Sequence, residues 1–148
     1  MASAIVSALH VLALALGLSS VYLRGRALKG RLDRDGLRHL FAADNVWGMA
    51  ATLWILTGLL RAFGGLEKGS QFYLQSPLFW IKMTLFVAVI VLEIRPMITF
   101  IRWRSQLGRG QTIDKSPAHA LYTLNHIELA IVVVMVFVAS LMARGVGF

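Results

Sequence analysis

The chain has 148 residues, 57% of them hydrophobic and only 15% charged. A soluble domain averages roughly 45–50% apolar and about 25% charged residues, so this composition excludes a soluble globular domain, and its apolar content excludes disorder. The net charge of +8 is read as lysine and arginine in cytoplasmic loops rather than as a nucleic-acid footprint, and the absence of cysteine removes disulfides, thiolate metal sites and cysteine nucleophiles.

Four apolar stretches follow along the chain, at about residues 4–23, 41–63, 77–101 and 120–143. Each is long enough to cross a hydrocarbon core of about 30 Å. The expected fold is therefore all-α: one integral membrane domain over residues 1–148, a four-helix antiparallel bundle with short loops. No lysine or arginine precedes the first stretch, so it reads as a retained helix and not as a cleaved signal peptide. Pro77 suits the first turn of the third span, and Pro96 lies late within it.

The loops set the orientation. The first holds Arg24, Arg26, Lys29, Arg31, Arg34 and Arg38, and the third holds Arg102, Arg104, Arg109 and Lys115. The opposite side offers Arg61, Lys68 and Arg144. Ten cations against three place the first and third loops in the cytoplasm. The expectation is a multi-pass protein of a bacterial inner membrane, embedded in the lipid bilayer, with both termini periplasmic.

Ionisable residues within the spans carry the chemical information, because a charge at the bilayer centre costs about 2.5–3.5 kcal/mol on insertion scales. On the first span, His10 shares a stripe with Ser3, Ser7, Gly17 and Ser20. On the second, Asp44, Trp47, Ala51, Trp54, Gly58 and Arg61 share a face. On the fourth, Tyr122, Asn125 and Glu128 form a stripe, and His126 points the other way. Depth separates two layers. His10, Lys82 and Arg61 form an outer cationic layer. Asp44, Asn45, Glu93, Asn125 and Glu128 form an inner acidic cluster, with Arg95 beside it or snorkelling to the headgroups.

Each layer has two readings. His10 is a haem or metal ligand, or a histidine that hydrogen-bonds a neighbouring helix. Lys82 binds an anionic group or reaches the headgroups, and Arg61 reads foremost as a boundary anchor. The acids bind a cation or relay protons, or one pairs with Arg95 while the others stay neutral. His10 and His126 differ in depth by about 10 Å, which disfavours one haem between them.

The run Ala8-Leu9-His10-Val11-Leu12-Ala13 and the later helix opening Phe79-Trp80-Ile81-Lys82-Met83-Thr84-Leu85 resemble the HemJ-type protoporphyrinogen oxidases. The organisation is also similar to the CopD-like membrane proteins. The chain looks like a short four-helix branch of that superfamily, among predicted membrane proteins with domains of unknown function. The resemblance implies haem b with His10 as its iron ligand and a functional role for Lys82; Arg61, at the outer end of the second span, is the candidate beside them for the haem propionates and the catalytic site. It further implies a membrane oxidoreductase acting on a porphyrin substrate and passing electrons toward the quinone pool. The acidic layer with Glu93 and Glu128 is a departure from that pattern. Two further classes stand beside it: a small cation- or proton-coupled transporter component, and a structural or accessory subunit.

Overall fold

A computed structural model describes residues 1–66 and 68–146. They form α1 (Ala2–Lys29), α2 (Arg34–Phe63), a short α3 (Ser70–Gln75), α4 (Pro77–Gly108) and α5 (Ala118–Ala143). Four of these are long and apolar enough to cross a membrane, and the architecture is an all-α membrane bundle. The helices overrun the apolar stretches: α1 continues six residues past residue 23, and α4 seven past residue 101. The overrun has a simple origin. Polar and basic residues such as Arg, Lys and Gln are good helix formers, and nothing in Arg24–Lys29 or Arg102–Gly108 breaks the backbone hydrogen-bond ladder.

Local signals end and start the helices. The N–H of Gly30 closes α1 onto the carbonyls of Ala27 and Arg26. Asp33 caps α2 by accepting from the Gly36 N–H at 2.9 Å. Pro77 opens α4, and the helix continues through buried Pro96. The loop read between the second and third spans contains α3, whose Tyr73 is buried against Phe79 and Phe72. In the loop before α5, the Asp114 carboxylate accepts from the Ser116 N–H and hydroxyl at 2.9 and 2.8 Å. Those bonds, the backbone one first, hold its pKa below the ordinary carboxylate value.

Helix α1 packs along α2 and α5, and α4 packs along α5. Helices α2 and α4 meet through side chains, Arg104 on Asp44 and Phe86 on Trp54. The interior is layered. At the basic end, Leu28, Leu32, Leu37, Leu40, Phe100, Trp103 and Leu121 pack together. Val21, Trp47, Val89, Val132 and Met135 fill the middle. Ala62, Tyr73, Phe79 and Met142 close the far end. The outward faces are apolar as well, with Val11, Leu12, Leu16, Leu56, Val87, Val91 and Phe137 all more than half exposed. An outer surface of that kind belongs in lipid. Because lipid is as apolar as leucine, association of the helices rests on close packing and polar contacts.

Candidate functional site

The residue that organises the site is Arg24. It belongs to α1, on the stripe of buried residues His10, Ala13, Gly17, Ser20, Val21, Arg24 and Leu28. Its side chain is fully buried. A guanidinium has five N–H groups, and Arg24 makes five hydrogen bonds. Nε donates to Asn125 Oδ1 at 2.7 Å. Nη1 donates to Asp44 Oδ1 at 3.1 Å and to Glu93 Oε1 at 2.7 Å. Nη2 donates to Glu93 Oε2 at 2.8 Å and to Glu128 Oε2 at 2.7 Å. The Glu93 pair is bidentate, the geometry in which arginine outperforms lysine. The rings of Trp47 and Phe100 each lie 5.7 Å from the guanidinium carbon. The cation is thus bonded in its plane and faced by aromatic rings from the middle and basic-end layers.

A second cation joins from α4. Arg104 Nη2 donates to Asp44 Oδ2 at 2.7 Å and to the Phe41 carbonyl at 3.3 Å. Asn125 is fixed at both ends, since its Nδ2 donates to the Val21 carbonyl at 2.8 Å. Four helices therefore converge on one network. Three carboxyls face two guanidinium groups, so full ionisation leaves one negative charge in excess. Glu128 is fully buried, and its Oε1 has no hydrogen-bond partner. Asp44 and Glu93 retain 16% and 21% side-chain exposure, so the site is closed at Glu128 and open toward the other two acids.

Of the inner cluster read from the sequence, the structure brings together Asp44, Glu93, Asn125 and Glu128. It does not bring Asn45, which is exposed. Successive helical residues stand about 100° apart, so turning Asp44 inward turns Asn45 away. Arg95 is exposed as well; the buried cation is Arg24, one residue beyond the apolar stretch at about 4–23. His126 is exposed at the edge of the α1–α5 contact, with its ring 4.2 Å from that of Tyr122 and its Cε1 facing Gly25.

The outer layer is built around His10. Its Nδ1 lies 2.8 Å from Thr57 Oγ1. The Thr57 hydroxyl donates its proton to the Leu53 carbonyl at 2.7 Å, so His10 Nδ1–H is the donor to the Thr57 oxygen. The ring stacks on Trp54 at 5.5 Å, and Lys82 Nζ lies 6.0 Å from the centre of the same indole. His10 and Lys82 thus share one aromatic neighbour. Arg61 stands one turn beyond Thr57 on α2 and is half-buried.

Haem b does not fit this layer as packed. The small residues that would leave room for a macrocycle are themselves covered. A Cβ at Gly17 would stand 3.3 Å from Trp47, and one at Gly58 would stand 3.3 Å from His10 itself. The cavity beside Ala13, Gly17, Trp47, Ala50 and Trp54 has about 10 Å³, about the space of one water. Among the described residues no group of three or more His, Asp or Glu side chains is placed to hold a metal ion.

Comparison with curated proteins and with solved structures returns no match. A family model does match, over residues 2–147, and its description is a predicted membrane protein. With nearly the whole chain covered, and four helices among the described residues long and apolar enough to cross a membrane, the protein belongs to the predicted membrane protein family DUF2214.

Proposed function

We propose that the protein is a component of a proton-coupled membrane system, in which the Arg24 cluster takes up and releases a proton. One observation carries this reading. Glu128 is fully buried with one carboxyl oxygen unbonded, in a cluster that holds three carboxyls against two guanidinium groups. One added proton neutralises the cluster and gives that carboxyl a donor. Buried acids of this kind mark proton and ion paths in membrane proteins. The partial exposure of Asp44 and Glu93 supports access of a proton to the cluster. The apolar layer of Val21, Trp47, Val89, Val132 and Met135 lies between this site and His10 and Lys82, so among the described residues no continuous polar chain joins the two and a proton crosses that layer only slowly. The lysine and arginine excess at the basic end supports placing that end in the cytoplasm of a bacterium, with both termini periplasmic.

The haem, porphyrin and quinone reading rests on the resemblance at His10 and Lys82, and the packing around His10 does not favour it. The test is proton movement. Proteoliposomes loaded with a pH-sensitive dye and energised by a potassium diffusion potential should change internal pH faster than lipid alone. Glu128→Gln and Glu93→Gln should return the rate to that of lipid. A wild-type rate equal to that of lipid alone contradicts the proposal and leaves the cluster as a staple between helices.

A further inference from the structure

A groove opens at the basic end of the bundle. It lies between the start of α2, the end of α4 and the connection to α5, and has about 1220 Å³. Its floor is apolar: Leu32 and Leu37 are buried, and Phe41 and Ile113 are half-buried. Its rim carries the exposed cations Arg34, Arg38 and Lys115. Two acids also line it. Asp33 is engaged as the cap of α2, and Asp35 lies in the first turn of that helix, where a carboxylate is favoured.

We infer that this groove holds one anionic phospholipid of the surrounding leaflet, its phosphate on Arg34, Arg38 and Lys115 and its glycerol and upper chain on Leu37, Phe41 and Ile113. Three features favour a lipid over other occupants. The groove sits where the apolar stretch of α2 begins, at the depth of the headgroups. A cationic rim above an apolar floor matches the order of phosphate and chain in a lipid. Basic pockets between helices on the cytoplasmic side are a general means of anionic lipid recognition. A soluble anion would leave the floor unused, and an apolar partner helix would leave the cations unused. The groove also touches the buried network, because Arg104 stands 4.9 Å over the Phe41 ring while bonding Asp44.

Native mass spectrometry of the full chain, released from detergent and titrated with phosphatidylglycerol or phosphatidylcholine, tests the inference. Each basic residue near an anionic surface contributes about fivefold in affinity. Phosphatidylglycerol should therefore bind at least about tenfold more tightly than phosphatidylcholine. The variant Arg34→Gln/Arg38→Gln/Lys115→Gln should lose that preference. A control with equal charge loss outside the groove, Arg26→Gln/Arg102→Gln/Arg109→Gln, should keep it. All six side chains are exposed, so both variants are expected to fold, with helical circular dichroism as the check. Glycerophosphoglycerol, the headgroup without chains, should bind more weakly than the intact lipid. Equal binding of the two lipids, retention of the preference by the groove variant, or its loss in the control overturns the inference. Headgroup binding as tight as that of the intact lipid overturns it as well, by pointing to a soluble anion.

Discussion

Arg24 satisfies every donor it has, and that sets what its loss would do. Removing one partner of a buried ion pair costs about 3–5 kcal/mol, because the other charges stay buried without compensation. Arg24→Leu leaves Asp44, Glu93 and Glu128 around an empty centre, and should destabilise the bundle by that amount in a denaturant titration in micelles. Arg24→Lys keeps the charge but offers three donors for five, so it should recover only part of the loss. A lysine variant as stable as wild type would show that charge alone, and not the fork geometry, holds the cluster. At His10, the packing predicts that purified protein supplemented with haem and freed of excess shows no Soret band distinct from that of haem in detergent alone. A shifted band that reverts in His10→Ala would show that the helices open to admit the macrocycle.

The contact of α1 with α5 depends on Gly25. A Cβ there would fall 2.7 Å from Asn125 Nδ2 and 3.1 Å from His126 Cε1. Asn125 has no freedom to yield, since Arg24 holds one end of its amide and the Val21 carbonyl holds the other. Gly25→Ala should therefore cost about 1–3 kcal/mol, the range for overpacking, and Gly25→Leu more. An unchanged stability for the alanine variant would mean that the two helices can separate without loss. The four spans were legible in the sequence because hydrophobic runs of their length have one common solution in lipid. The ends were not, because apolarity stops at the headgroups while helix propensity does not. That difference hid Arg24, which sits one residue past the first apolar run. The stripe His10, Ala13, Gly17, Ser20 carried forward by four residues lands on it, and three acids in lipid call for a cation. The convergence of Asp44, Glu93, Asn125 and Glu128 was readable from depth and face. The aromatic packing that fills the space beside His10 was not, since it depends on how closely α1 and α2 approach.

At the scale of the molecule, two polar layers flank an apolar middle. His10, Thr57 and Lys82 lie on one side, and the Arg24 network lies on the other. The ten-to-three distribution of cations predicts which side is cytoplasmic. The cysteine-free chain makes this testable, because Thr112→Cys would be its sole thiol. A membrane-impermeant maleimide should label that thiol in inverted vesicles and not in intact cells; labelling of intact cells would reverse the orientation. The central claim is that the cluster binds a proton at Glu128. Infrared spectroscopy of the protein in liposomes, recorded through a pH titration, tests it most directly. A protonated carboxyl band should be present and should vanish in Glu128→Gln while helical content is kept. A spectrum without that band, or a band unaffected by Glu128→Gln, would contradict the account.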